Sequence, residues 1–133
     1  MSLASYQVTG LRVISCIAGT YSLRRKVTDA STKLPKPIIS FSTQYIPVMT
    51  AIANAFVLTA FMKSIHTSFT DTKLGPGMRH FLAAVSKVTV FERASKDAPA
   101  LGDRCGAQGM LQANQINTFM VCTGLLLVRQ VAL

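Results

Sequence analysis

Two short stretches of this chain have residue types and spacing that could contact an anion. The first is RCGAQGMLQANQI, residues 104–116, which contains the glycine pair Gly106 and Gly109. Glycine is costly inside a helix, so the pair predicts a helix end, a tight turn, or a close approach of the backbone to a ligand. The second is the basic cluster YSLRRKV, residues 21–27. A phosphate site and a helix C-terminus, where cations stabilise the dipole, explain this cluster equally well.

The other reactive side chains fit no catalytic pattern. His66 and His80 are the only histidines, and neither lies at metal-ligand spacing or beside a carboxylate pair, so we expect no metal site. GxSxG, HExxH and P-loop patterns are absent from the sequence. The three cysteines are widely spaced without a CxxC, which favours free thiols in a reducing compartment over a disulfide framework. They are Cys16, Cys105 and Cys122.

The composition limits the class of protein. The chain has 133 residues, which predicts a single domain over residues 1–133. Its net charge of +9 favours anionic partners. Nucleic-acid binding would require aromatic residues among the basic ones, and only Tyr21 is near the basic cluster. We therefore expect no nucleic-acid binding. Half of the residues are hydrophobic and the mean hydropathy is +0.38, which leaves a membrane-associated protein as an alternative.

The apolar periodicity predicts the first two helices. Leu11, Ile14 and Ala18 recur at helical spacing, so we expect an amphipathic helix over the first 25 residues that ends in the basic cluster. The segment KLPKP, residues 33–37, is expected to break the helical path after it. Residues 37–62 carry no charge and predict a second helix that starts at about Pro47. Its Ser, Thr, Asn and Gln side chains favour a buried inner helix over a membrane span.

A third helix is expected from Met78, with Glu92 four residues before Lys96 in the favourable order for an ion pair. Pro99 is expected to interrupt or kink this helix. Residues 117–133 are compatible with a helix or a strand. The residues of the third helix that we expect to face inward are Phe81, Leu82, Val85, Val88 and Phe91. Four packed helices, an all-α up-and-down bundle, are the economical architecture.

Four blocks of the chain resemble one known family when they are taken in order. They are YSLRRKVT, PIISFSTQ, MRHFLAAVSKVTVFERA and RCGAQGMLQANQI. Their order and spacing resemble the C-terminal helical domain of the acyl-CoA oxidase and acyl-CoA dehydrogenase family over residues 8–116, and residues 117–133 diverge. In that family the domain is a four-helix bundle that forms the dimer interface. The family oxidises the Cα–Cβ bond of acyl-CoA thioesters with FAD, so the resemblance implies a flavoprotein of fatty acid metabolism.

The resemblance also implies a set of cofactor-binding residues. Arg25 matches an arginine that contacts the FAD diphosphate across the subunit interface, although Thr28 replaces the phenylalanine of the same motif. Gln44 matches a glutamine that approaches the FAD. The glycine turn of the family, whose amides approach the FAD phosphates as an anion nest, matches four residues here. They are Gly106, Ala107, Gln108 and Gly109.

The catalytic parts of the family have no counterpart in this sequence. The N-terminal helical domain and the middle β-domain are missing, and no Asp or Glu follows Asp103. Thr123 stands at the position of the family's catalytic carboxylate, and its hydroxyl cannot act as that base near neutral pH. The resemblance therefore implies a truncated module that binds part of an FAD or dimerises, as a homodimer or with a full-length acyl-CoA oxidase, and meets acyl-CoA only indirectly.

Two other hypotheses remain open at this point. The chain could be a small basic membrane-associated helical protein, with residues 37–62 and 105–128 as spans or surface helices. It could also be a damaged or mis-spliced gene product without a biochemical role. The family is peroxisomal or cytoplasmic, and the chain ends in Val-Ala-Leu, so we expect no C-terminal peroxisomal signal.

Overall fold

The computed structural model describes residues 2–30, 33–71 and 73–131, with side chains from 3 to 124. Within these residues four long helices make an all-α domain, which confirms the predicted fold class. The long helices are α1 (Ser2–Arg24), α2 (Ser42–Thr70), α3 (Pro76–Arg104) and α5 (Ile116–Val131), and the short helix α4 (Ala107–Met110) lies between the last two. Residues 38–40 and 112–114 form single 3-10 turns.

The helices α1 and α3 form the centre of the domain. The helix α2 packs against both of them on one side, and α5 packs against both on the other side. Successive long helices alternate in direction, because the start of α2 meets the ends of α1 and α3, and α5 returns along α3 with Ile116 and Met120 against Gly102. The core is one cluster of apolar side chains, whose largest fully buried members include Leu11, Ile14 and Leu101.

The helix α1 follows the predicted periodicity. Leu11, Ile14 and Ala18 are buried on one face, as expected. After Arg24 the chain forms a short exposed ladder in which β1 (Lys26–Thr28) pairs antiparallel with β2 (Pro35–Pro37). The predicted break at residues 33–37 is therefore confirmed, but the ladder itself was not predicted. Proline at two positions of β2 removes backbone donors, which suits a strand at an edge.

The prediction that α2 is a buried inner helix is wrong. Since α1 and α3 hold the centre, α2 lies at the side and buries one stripe. That stripe consists of Gln44, Val48, Ala51, Ala55, Leu58, Met62 and Ile65. The opposite face is exposed, and from Ser42 to Met62 it carries no charge; Lys63 is the first charged residue on it. By length and composition alone, α2 is the one helix among the described residues that could cross a membrane, and 28% of its most apolar window is buried.

The start of α2 also differs from the prediction, because the helix begins one turn before Pro47. A proline within a helix leaves the carbonyl four residues earlier without its donor. Here that carbonyl belongs to Thr43, and Arg104 at the end of α3 donates to it from Nη1 at 3.0 Å. The third helix thus supplies the hydrogen bond that Pro47 removes.

The helix α3 confirms the predicted ion pair, shows no interruption at Pro99 and corrects the predicted inward face. Lys96 Nζ lies 2.7 Å from Glu92 Oε1, which confirms the ion pair. Pro99 does not interrupt the helix, which continues to Arg104. Of the five residues expected to face inward, only Phe91 is buried, Leu82 is half-buried, and Phe81, Val85 and Val88 are exposed. The buried stripe instead contains small residues that let neighbouring helices approach closely, namely Ser86, Ala94, Ala98 and Gly102 among others.

The last stretch of the chain is helical. The alternatives left open for residues 117–133 are resolved in favour of α5, which runs from Ile116 to Val131. Residues 132 and 133 lie outside the described part. Gly10 of α1 packs directly against the ring of Phe119, where a Cβ would collide with the aromatic carbons. This contact joins the first and last helices of the domain.

Candidate functional site

The predicted cofactor-binding residues collect at one end of the domain. The end of α1, the start of α2 and the end of α3 meet there, and residues 106–109 follow α3 directly. Gln44 joins the three helices, because its Nε2 donates to Ser22 Oγ at 2.8 Å and to the carbonyl oxygen of Arg104 at 2.9 Å. Arg25, the first residue after α1, lies at the same end.

Gln44 is a structural residue at this end. It is buried, and its hydrogen bonds to Ser22 and Arg104 both use the amide nitrogen of its side chain. An amide nitrogen carries two protons, so neither remains for a ligand. Whatever Gln44 contributes to a cofactor must therefore come through its carbonyl oxygen or through the position in which it holds Arg104.

Arg25 has a fixed backbone and an exposed side chain. Its N–H donates to the Tyr21 carbonyl at 2.8 Å, and its carbonyl accepts from the Ile38 N–H at 2.9 Å. Within the described ranges no hydrogen bond or ion pair engages its guanidinium. An arginine whose backbone is fixed and whose guanidinium has no partner is suited to bind a carboxylate or a phosphate.

The two glycines of residues 106–109 are each required by the fold. Gly106 has φ +57° and ψ −143°, a conformation that only glycine adopts readily. Gly109 is buried, and a Cβ there would collide with the carbonyl oxygen of Gly102 in α3. The predictions of a helix end and of a close backbone approach are both confirmed. The close approach is to the protein itself.

Only part of an anion nest is present in this segment. The Gly106 N–H donates to the Asp103 carbonyl at 3.2 Å, and the Gly109 N–H donates to the Gly106 carbonyl at 2.9 Å. In the described part of the chain, the N–H groups of Ala107 and Gln108 have no backbone acceptor. Both residues are exposed, so two adjacent amides remain available to an anion.

Thr123 lies in the core, two turns along α5 from the start of that helix. Its Oγ1 lies 2.9 Å from Gln7 Oε1 and 2.8 Å from the Phe119 carbonyl oxygen, and its one hydroxyl proton is shared between these two acceptors. Both Thr123 and Gln7 are buried. The residue predicted to replace the catalytic carboxylate therefore joins α5 to α1, and it presents no group to the end of the domain that holds Arg25.

The remaining reactive side chains add nothing to this end except packing. Cys105 is buried, and burial raises the pKa of its thiol, so it stays protonated at neutral pH. His66 and His80 are exposed. Among the described residues there is no group of three His, Cys, Asp or Glu side chains that could hold a metal ion.

Ser22 and Arg104 are the residues of this end that the sequence analysis missed. Both hold Gln44 and the start of α2 in place. Pro47 is a signal in the sequence that such a residue exists, since an interior proline leaves a carbonyl that needs another donor. The sequence does not say which residue supplies it; in the structure that residue is Arg104, 61 positions after Thr43.

Fold and site together define a helical domain with unsatisfied cationic and amide donors at one end. The family described as "Acyl-CoA oxidase, C-alpha1 domain" matches residues 1–124, which include α1 to α4 and half of α5. The chain therefore belongs to the acyl-CoA oxidase family as a C-alpha1 domain, and the resemblance noted in the sequence is confirmed. No curated protein and no solved structure matches the chain significantly.

Proposed function

We propose that the chain is a partial FAD-binding and dimerisation module of the acyl-CoA oxidase type, which does not oxidise acyl-CoA by itself. The observation that carries the proposal is the group of free donors at one end of the domain. They are the Arg25 guanidinium and the N–H groups of Ala107 and Gln108. A diphosphate is the part of FAD whose chemistry these donors match.

The fit of these residues to a diphosphate is supported by charge and by shape. The chain carries a net charge of +9, and Arg24 and Lys26 lie exposed on either side of Arg25. Ala107 and Gln108 follow Gly106, whose positive φ departs from the helical path, and both residues are exposed. When bound, FAD supplies the acceptor for the hydride that the family removes from the acyl chain. This chain's own residues would hold only the phosphates.

The reaction itself requires groups that this chain does not offer. Proton abstraction from the Cα of an acyl-CoA needs a carboxylate held against the substrate. No Asp or Glu follows Asp103 in the sequence, and the Thr123 hydroxyl is engaged inside the core. The base, the flavin-ring pocket and the acyl-CoA site would come from a full-length acyl-CoA oxidase that pairs with this chain.

Titration of FAD into the purified chain tests the proposed site. We expect Arg25→Ala to weaken FAD binding about tenfold, because a charge-assisted contact to phosphate is lost. Arg24→Ala is the matched control, since it removes an equally exposed charge from the neighbouring position. ADP should compete with FAD and riboflavin should not, since only ADP carries the diphosphate. Equal loss in both arginine variants, or competition by riboflavin, would contradict the diphosphate role.

A further inference from the structure

A groove runs along the outside of the domain between α1 and α2. Two cavities of about 270 and 510 Å³ open into it, and Arg12 of α1 lines both of them. The smaller cavity lies toward Cys16 and Ile52, and the larger one lies toward Ser5 and His66. We call the whole feature the α1–α2 groove, from Cys16 and Ile52 at one end to Ser5 and His66 at the other. Its volume suits a small organic molecule rather than a single ion.

The smaller cavity of the α1–α2 groove is almost entirely apolar. Ile52, Ala55 and Phe56 line it on the α2 side, and Cys16 lines it on the α1 side. Ser15 adds a hydroxyl, but its Oγ already donates to a backbone carbonyl of α1 at 2.7 Å. Apart from the arginine that both cavities share, no side chain that lines this cavity in the described part of the chain offers a strong free donor. This part of the groove therefore favours a hydrocarbon or aromatic body.

The larger cavity of the α1–α2 groove is lined by cations. Arg12, Lys63 and His66 line it, and all three are exposed. The hydroxyls of Thr9 and Thr67 line it as well, but each donates to a carbonyl of its own helix. Over the described ranges, no hydrogen bond or ion pair engages the side chains of Arg12 and Lys63. Both cations are therefore free to bind an anion.

Neither of the helices that form the α1–α2 groove carries an acidic residue. The sequence has no Asp or Glu in residues 1–28 or 30–70, which include α1 and α2. None of the five acidic residues of the chain lines either cavity. The positive charge of Arg12 and Lys63 is therefore not compensated by the walls of the groove, and it attracts an anion from solution.

We infer that the α1–α2 groove binds a monomeric amphipathic anion, whose head group lies between Arg12 and Lys63 and whose apolar body lies in the smaller cavity beside Cys16. A single-chain carboxylate is the simplest ligand of this class. It carries its charge directly on the chain, whereas the acyl end of a thioester is neutral. A cavity between two helices encloses one chain, while a bilayer surface is too broad to enter it.

The α1–α2 groove is separate from the proposed FAD-binding end of the domain. Lys63 and His66 lie near the end of α2, whereas Gln44, which meets the end of α3, lies near its start. Arg25 and residues 106–109 do not line either cavity. The inference therefore does not depend on FAD binding, and either proposal can fail without the other.

Alkylation of Cys16 by iodoacetamide, followed by mass spectrometry of the full chain's peptides, measures occupation of the groove. Cys16 is an exposed free thiol that lines the smaller cavity, so decanoate below its micelle-forming concentration should slow its alkylation. Cys122 in α5 lies outside the groove, and its rate should not change. Each methylene removed from the ligand should weaken protection about threefold, because less apolar surface is buried. Decyltrimethylammonium, with the same chain and the opposite charge, should not protect Cys16.

A pair of arginine variants tests the head-group contact. Arg12→Ala should weaken protection by decanoate about tenfold, because a charge-assisted contact is lost. Arg24→Ala is the matched control, since Arg24 is an exposed arginine of the same helix that lines neither cavity. Circular dichroism checks that both variants keep their helices.

Four outcomes would overturn the inference. They are no protection of Cys16 by decanoate, equal protection by decyltrimethylammonium, equal effects of the two arginine variants, and protection by phosphatidylglycerol vesicles without protection by decanoate. The last outcome would identify the groove as part of a membrane-binding face instead.

Discussion

At Gly109 the fold leaves no room for a side chain, because a Cβ there would meet the backbone carbonyl of Gly102. The spacing of Gly106 and Gly109 was sufficient to predict a helix end and a close approach, because both follow from the cost of glycine in a helix. The partner of that approach, the carbonyl of Gly102, could not be predicted. It depends on how the chain turns back after α3, and the sequence around residue 106 does not specify that turn.

We expect Gly109→Ala to lower the free energy of unfolding by about 1–3 kcal/mol, because the added Cβ meets backbone that cannot rotate away. Gly77→Ala is the control, since a Cβ in the first turn of α3 meets nothing within 4 Å. That change should be neutral or stabilise by up to about 1 kcal/mol. Urea denaturation measures both. Equal stability of the two variants would show that Gly109 does not pack as described.

The local elements were predictable, and the faces they bury were less so. The helix α1 and the ion pair of Glu92 and Lys96 follow from spacing along one helix, so both predictions hold. The predicted burial of α2 as an inner helix and the predicted inward face of α3 were wrong, because size outweighs hydrophobicity where helices pack closely. Ala51 and Ala55 are buried while Phe56 is exposed, and no local rule predicts that.

The hydrogen bond from Arg104 to the Thr43 carbonyl is a test of how α2 begins. Arg104→Ala should destabilise the domain by about 1–3 kcal/mol, because the carbonyl left by Pro47 loses its donor. In a Pro47→Ala background the same change should cost less, because the alanine N–H can bond to Thr43. A double-mutant cycle measured by urea denaturation gives the difference. If the cost of Arg104→Ala is the same in both backgrounds, the two residues are not coupled.

At the scale of the whole molecule, the candidate site is a property of the arrangement of the helices. Arg25, Gln44 and residues 106–109 come from three separate parts of the chain, and the antiparallel packing of α1, α2 and α3 brings them to one end. The residue types at these positions were enough to predict an anion-binding site. Only the resemblance to acyl-CoA oxidases predicted that these positions belong to one site. Which backbone amides remain free could not be predicted, because it depends on the exact turns after Arg104.

The most direct test of the proposed function is a proton–nitrogen correlation spectrum of the labelled chain, recorded with and without FAD. The account predicts that the amide signals of Ala107 and Gln108 and the side-chain Nε signal of Arg25 shift most. The amides of Gly106 and Gly109 should shift less, because each already donates within the protein. If saturating FAD shifts none of these signals, or shifts only those of α2, the site does not hold the diphosphate.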